Sequence, residues 1–119
     1  MSESTRYTLR LRDIVIGWSD LEGRDQARGV ARGDFRPGLG WNLVEPIFVL
    51  RPADPSAADA GEREQRYRRA RDTLALSLHA PDGTMLDTAR IDVMRDEASA
   101  TELALEVAIV DRSFWTPVL

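Results

Sequence analysis

Residues 73–111 read TLALSLHAPDGTMLDTARIDVMRDEASATELALEVAIVD, and this stretch decides the fold. Apolar and polar side chains alternate in three runs, at residues 74–78, 89–93 and 103–109. Successive side chains of a β-strand point to opposite faces, so each run predicts a strand with one apolar face. The first two runs are separated by Pro-Asp-Gly-Thr at residues 81–84, and Asp-Gly is typical of a tight hairpin turn. We therefore predict three antiparallel strands that share an apolar face.

The composition is typical of a single globular domain spanning residues 1–119. Hydrophobic residues make up 43% of the chain and charged residues 30%, which argues against wholesale disorder. Cysteine is absent and His79 is the one histidine, so disulfides, thiolate chemistry and a histidine-rich metal site within one chain are excluded. All sixteen basic residues are arginine, a usage typical of a GC-rich bacterial genome. Because no apolar run has the length of a signal peptide or a membrane span, we expect a cytoplasmic protein.

Strand patterns also occur before the middle of the chain. Residues 7–12 alternate in polarity, and residues 14–18 are β-prone. We predict a hairpin that turns between these runs, with one long strand bent at Gly17 as the alternative. Residues 29–36 predict a further strand.

The middle of the chain predicts helical structure. Residues 42–51 are apolar on nearly every side, and Pro46 suits the first turn of a short helix at residues 46–51, although an edge strand also fits. Residues 52–61 contain two prolines and read as a loop or linker. Residues 62–72 combine helical spacing of apolar residues with acid–arginine pairs four residues apart.

Together these patterns predict the α+β class. We expect a mostly antiparallel sheet of five or six strands, with one main helix at about residues 62–72 packed on one face.

The charge pattern bears on partners. The chain carries a net charge of −4, and acids are interleaved with the arginine cluster of the predicted helix, so nucleic acid is a poor candidate partner. Residues 6–36 hold seven arginines and five acids, whereas residues 82–111 hold eight acids and two arginines. If the strands of these two regions pair, the opposite charges face each other. If the two regions instead lie on opposite sides of the molecule, their charge difference favours self-association or binding of a charged partner.

Catalytic signatures are weak. There is no Gly-x-Ser-x-Gly motif and no glycine-rich phosphate loop. Ser77 and His79 share one face of a predicted strand, where only a chance geometry would make them a catalytic dyad. Hydroxyl-bearing residues are commonplace on strands, so this pair is weak evidence for catalysis. Asp92 and Glu106 fall on neighbouring strands and are candidates for an acid–base pair, but an acidic, solvated sheet face explains them more simply.

Six residues are candidate ligand or partner contacts. Trp18, Trp41 and Trp115 lie near turns, where tryptophan can stack on a sugar or anchor an interface, although core packing explains them too. The polar stretch 19–25 carries three carboxylates, on Asp20, Glu22 and Asp25. Their spacing does not fit a calcium-binding loop, so we predict a solvated turn, no metal site and no cofactor.

Three functions remain open at this point. The first is a non-catalytic protein-interaction or accessory domain that works through a sheet edge or the aromatic C-terminal tail, with a protein partner or a second copy of the chain. The second is a small-molecule or carbohydrate-binding domain that uses the tryptophans. The third is a carboxylate-based enzyme, which the absence of catalytic motifs makes the weakest.

Overall fold

The structure, a computed structural model, describes residues 6–48 and 60–115. Nine strands lie in these ranges: β1 (Tyr7–Leu11), β2 (Ile14–Ser19), β3 (Gly23–Asp25), β4 (Val30–Asp34), β5 (Arg36–Pro37), β6 (Leu76–His79), β7 (Met85–Leu86), β8 (Thr88–Arg95) and β9 (Leu103–Ile109). The described helices are α1 (Trp41–Phe48), α2 (Ala60–Thr73) and the single turn α3 (Arg112–Trp115). The predicted α+β class is confirmed.

The strands form two antiparallel sheets. The five-stranded sheet has the order β5-β2-β1-β6-β7, and the four-stranded sheet has the order β3-β4-β9-β8. The inward faces of both sheets contribute to one hydrophobic core. Its members include Leu9, Ile16 and Leu78 from the first sheet and Val93, Leu105 and Val107 from the second, each no more than 1% exposed. Each sheet thus keeps an outward face that the core does not use.

The predicted N-terminal hairpin is confirmed. β1 and β2 pair with Leu11 opposite Ile14, and the turn between them places Arg12 at a φ of 57°. A bulge near Leu9 and Arg10 accommodates one extra residue in β2. The predicted strand at residues 29–36 is present as β4, which pairs with β9.

The predicted runs at residues 74–78, 89–93 and 103–109 are present as strands β6, β8 and β9 and contribute to one core, but β6 lies in a different sheet from β8 and β9. The turn at residues 81–84 does form a hairpin, with Gly83 at a φ of 92° and its N–H bonded to the Ala80 carbonyl. That hairpin joins β6 to the two-residue β7, and the chain then crosses into the other sheet as β8. β6 pairs with β1 instead of β8, because alternation specifies a face and not a partner strand.

The main helix is confirmed and slightly longer than predicted. α2 begins at Ala60, so the last two residues of the predicted linker 52–61 are helical, while the rest of that linker lies outside the described residues. The short helix was predicted to start at Pro46 but starts at Trp41, so Pro46 lies inside α1. Residues 49–51 of that prediction lie outside the described residues. The predicted solvated turn at residues 19–25 ends in strand β3, which pairs with β4.

Candidate functional site

The outward face of the five-stranded sheet is the candidate functional site, and we call it the open face. One row of side chains crosses all five strands, because the register places each residue opposite the next: Arg36, Trp18, Thr8, His79 and Met85. A second row crosses three strands with Val15, Arg10 and Ser77. Since alternate strand positions share a face, these eight side chains lie on one side of the sheet. Their neighbours Leu9 and Leu78 point into the core.

The open face is positively charged. Two of its eight positions are arginine and none is aspartate or glutamate, although the chain holds twenty acidic residues. A third arginine, Arg6, lies beside it with its guanidinium 5.3 Å from the centroid of the Trp18 ring. Within residues 6–48 and 60–115, neither Arg10 nor Arg36 forms an ion pair. Within those ranges, the charges of Arg10 and Arg36 are therefore not compensated by an acidic side chain.

Arg10 occupies the middle of the open face. It lies directly opposite Val15 on one side and Ser77 on the other. Its Nε is shielded from solvent and has no hydrogen-bond acceptor among the described residues. A shielded donor without an acceptor costs about 1–3 kcal/mol. The Nη groups of the same guanidinium are not shielded in this way, so they are the donors that an incoming acceptor can contact.

Ser77 and His79 form a hydrogen-bonded pair beside Arg10. The Ser77 Oγ lies 2.9 Å from the His79 Nε2, and the His79 Nδ1 lies 3.4 Å from the Gly83 carbonyl oxygen. Because a carbonyl can only accept, the contact with Gly83 requires the proton on Nδ1. In the neutral ring, Nε2 then accepts the Ser77 O–H. The turn at residues 81–84 thus fixes the orientation of the imidazole.

Trp18 provides the aromatic surface of the open face. Its side chain is half-buried. The backbone at Gly38 packs close to the indole ring, since a Cβ added to Gly38 would lie 3.3 Å from a Trp18 ring carbon. Gly38 also donates its N–H to the Ile16 carbonyl, which holds this segment along the edge of β2. Leu39 follows it and is fully exposed, so an apolar side chain lies at the border of the open face.

The opposite face of the molecule is electrostatically satisfied. On the four-stranded sheet, Arg90 Nη1 lies 2.8 Å from Asp92 Oδ2 and 3.3 Å from Glu106 Oε2. Arg32 contacts Asp96 at 2.8 Å and Glu106 at 3.6 Å. For Arg32, the sequence expectation that arginines of residues 6–36 pair with acids of residues 82–111 is therefore confirmed.

Asp92 is the only aspartate among the fully buried large side chains of the described ranges, at 1% exposure. Its Oδ1 accepts the Tyr67 hydroxyl at 2.5 Å and Arg71 Nη1 at 2.8 Å. Burial alone would raise the pKa of Asp92, but the hydrogen bonds from Tyr67 and Arg71 and the charges of Arg71 and Arg90 outweigh it and lower that pKa. The predicted placement of Asp92 opposite Glu106 on neighbouring strands is confirmed, but the expectation of a solvated sheet face is wrong for Asp92, which Tyr67 and Arg71 of α2 cover.

The other predicted contact residues lie apart from the open face. Trp41 is 7% exposed and packs on Phe35 and Phe48, with ring centroids 5.1 and 5.8 Å away. Trp115 packs on Phe114 at 4.7 Å and donates its indole N–H to the Ile109 carbonyl at 2.7 Å. No ring contact in the described part of the chain joins two tryptophans.

The acidic stretch is exposed. The side chains of Asp20, Glu22 and Asp25 face solvent, and Asp25 accepts the backbone N–H of Arg28 at 3.2 Å. Among residues 6–48 and 60–115, no group of three acidic or histidine side chains has the geometry to hold a metal ion.

Of the residues on the open face, Trp18 was predicted as a candidate contact from the sequence, whereas Arg10 and Arg36 were not. The sequence pattern placed Ser77 and His79 on one strand face but did not identify Arg10 and Thr8 as the residues opposite them. The alternation in residues 7–12 and in 74–79 contains the signal, since it assigns these polar side chains to outward faces. The pairing of β1 with β6, which brings the two sets together, joins residues about seventy positions apart and has no local signature.

Comparisons with known protein families, with curated proteins and with solved structures found no match to this chain. No helix within the described residues is long and apolar enough to cross a membrane.

Proposed function

We propose that this protein is a non-catalytic interaction domain that binds an acidic segment of a partner protein through the open face. The observation that carries the proposal is the absence of aspartate and glutamate from eight adjoining positions of a chain with net charge −4. Sheet faces turned to solvent usually mix both signs of charge, as the four-stranded sheet does here. A surface that departs from this balance favours a partner of opposite charge.

The residue types of the open face support a protein partner. Tryptophan, methionine and arginine are enriched at protein interfaces, whereas aspartate and glutamate are depleted. Trp18, Met85, Arg10 and Arg36 fit that composition, and the Met85 side chain is 61% exposed. Tryptophan and arginine are also among the residue types that contribute most to binding at interfaces.

An extended acidic segment suits the shape of this surface. The first row of side chains runs across the strands from Arg36 to Met85, so a bound chain can meet cationic, aromatic and hydroxyl groups in succession. Nucleic acid fits less well, because phosphate binding needs a basic excess that the whole chain lacks. A cytoplasmic location stays a prediction.

The carbohydrate-binding alternative keeps less support. It relied on several tryptophans acting together, and the ring contacts of Trp41 and Trp115 tie those residues to other parts of the molecule. Trp18 alone remains available for stacking on a ligand from the open face.

The test is binding of a fluorescein-labelled oligoglutamate peptide, measured by fluorescence anisotropy. The key variant is Arg10→Gln/Arg36→Gln, and the matched control is Arg66→Gln/Arg69→Gln on the exposed side of α2. Both variants remove two positive charges, so they change the net charge equally. Two exposed charge contacts of about 0.2–1 kcal/mol each predict a loss of affinity of roughly 2- to 30-fold for the open-face variant.

The control variant should bind like the wild type, and added salt should weaken binding in both. Equal losses in the two variants would show attraction by net charge alone and would contradict the proposal. Wild-type protein that fails to bind the peptide at low salt would contradict it as well.

A further inference from the structure

We infer that Arg10, Ser77 and His79 form an oxyanion subsite within the open face that takes a phosphate monoester group carried by the acidic partner. This inference rests on the proposed function, because it specifies one chemical group of the partner and the residues that hold it.

The three side chains adjoin one another on the sheet. Arg10 and Ser77 are directly opposite residues of β1 and β6, and such antiparallel pairs have Cβ atoms about 4.5–5.5 Å apart. His79 is the next residue of β6 on the same face, and its Nε2 lies 2.9 Å from the Ser77 Oγ. Thr8, opposite His79, places another hydroxyl beside the group.

Arg10 has donors that no other described residue uses. The guanidinium of Arg10 is always charged and carries five N–H donors, and it forms no hydrogen bond with the described residues. The Ser77 hydroxyl has only the His79 ring as a hydrogen-bond partner within the described ranges. An arriving anion can accept the Ser77 O–H in place of the His79 ring.

Donors on neighbouring side chains suit a tetrahedral oxyanion better than a flat carboxylate. A carboxylate can accept two parallel hydrogen bonds from one guanidinium, so Arg10 alone can bind it. A phosphate monoester carries three acceptor oxygens and about −1.5 to −2 charge at neutral pH, so it can use the Arg10 guanidinium and the Ser77 hydroxyl together.

The carboxylate of Asp82 does not compete for these donors. Asp82 lies in the turn after β6, and its Oδ1 accepts the backbone N–H of Thr84 at 2.9 Å. Hydrogen bonding with Thr84 lowers the pKa of Asp82, so its carboxylate is ionised and bonded within the turn at residues 81–84. No ion pair joins it to Arg10 within the described residues.

The test uses His79 as a reporter, because it is the single histidine of the chain. Its imidazole signals are followed by NMR during titration with inorganic phosphate at fixed pH, and separately with chloride at matched ionic strength. A phosphoserine peptide and its serine and glutamate counterparts then compare the anions within one peptide. We expect a saturable shift with phosphate, none with chloride, and tighter binding of the phosphoserine peptide than of the glutamate peptide.

Two variants and a control separate the subsite from general attraction. Arg10→Gln should weaken phosphate binding roughly tenfold or more, as expected when a hydrogen bond to a charged group is lost. Ser77→Ala should weaken it less, and Arg66→Gln on α2 should leave it unchanged. Backbone spectra check that each variant is folded. A linear shift, an equal response to chloride, or undiminished phosphate binding by Arg10→Gln would overturn the inference.

The oligoglutamate experiment distinguishes failure of the phosphate subsite from failure of the proposed function. If that peptide binds at the open face and phosphate has no specific effect on His79, the subsite is wrong and the interaction domain stands. If neither ligand binds, both proposals are wrong.

Discussion

At the scale of single residues, Asp92 joins the helical and sheet parts of the molecule. Its two oxygens accept from Tyr67 and Arg71 on α2 and from Arg90 on its own strand. Arg71 also lies over the ring of Tyr67, 5.5 Å from the ring centroid. The carboxylate is therefore paired and hydrogen-bonded at every described contact, which is the condition for a buried charge to be tolerated.

Asp92→Ala should be strongly destabilising. The change removes the buried carboxylate that accepts from Tyr67, Arg71 and Arg90, and breaking such a buried pair costs about 3–5 kcal/mol. Urea unfolding followed by circular dichroism measures the free energy of unfolding. Glu97→Ala, at an exposed position, is the control and should change that free energy by less than about 0.5 kcal/mol. Equal effects of the two variants would contradict the role given to Asp92.

Acid should destabilise the wild type through the same residue. The pKa values of Asp92 and Asp96 are lowered in the folded protein; for Asp96, the hydrogen bond from Arg32 is the main cause. Groups with a lowered folded pKa stabilise the protein above their unfolded pKa, about 3.9 for aspartate, and lose that contribution as pH falls through the folded value.

Stability should therefore fall on acidification below about pH 4, and it should fall less steeply in Asp92→Asn, which has no proton to gain at that position. Urea unfolding at a series of pH values measures both slopes. Parallel slopes for the wild type and Asp92→Asn would contradict the assignment.

The sequence could place Asp92 opposite Glu106, because both lie in alternating strands joined by a short connection. It could not reveal Arg71 as a partner of Asp92. In the sequence, Arg71 belongs to a charged helix whose acid–arginine spacing predicts pairs within the helix. One such pair, Glu64 with Arg68, does form at 3.2 Å.

At the scale of elements, β2 depends on a glycine. A Cβ added to Gly17 would lie 2.5 Å from the backbone oxygen of Arg36 and would collide with the Phe35 ring. Phe35 is fully buried and is itself packed on Trp41. The absence of a side chain at Gly17 therefore allows the Phe35 ring to pack directly against β2, the strand that carries Trp18.

Gly17→Ala should lower the free energy of unfolding by about 1–3 kcal/mol, the usual effect of overpacking. Gly61→Ala is the matched control, because nothing lies within 4 Å of a Cβ added in that turn of α2. Alanine favours helix, so the control should be neutral or stabilising by up to about 1 kcal/mol. Thermal or urea unfolding compares the two, and a neutral Gly17→Ala would contradict the packing described for β2.

Elements were more predictable from the sequence than their partners. Local patterns found the β1–β2 hairpin, the turn at residues 81–84 and helix α2, because each depends on residues close in the chain. The start of α1 was missed, since Pro46 was assigned to a first turn and in fact lies near the end of the described helix. The division of strands into two sheets depends on a crossing after β7 that no turn residue specifies.

At the scale of the whole molecule, the two outward sheet faces differ in how their charges are compensated. Arg32 and Arg90 on the four-stranded sheet both contact Glu106, whereas Arg10 and Arg36 of the open face form no ion pair within the described residues. The charge asymmetry in the sequence allowed both internal pairing and a charged partner. Internal pairing is present on the outward face of the four-stranded sheet. The open face keeps a positive charge that a negatively charged partner can neutralise.

The most direct measurement for the central claim is a backbone amide NMR titration of the whole protein with the oligoglutamate peptide. The account predicts chemical-shift changes concentrated in β1, β2 and β6, around Arg10, Trp18 and His79. Changes concentrated instead on α2 near Arg66 and Arg69, or on β8 and β9, would contradict it.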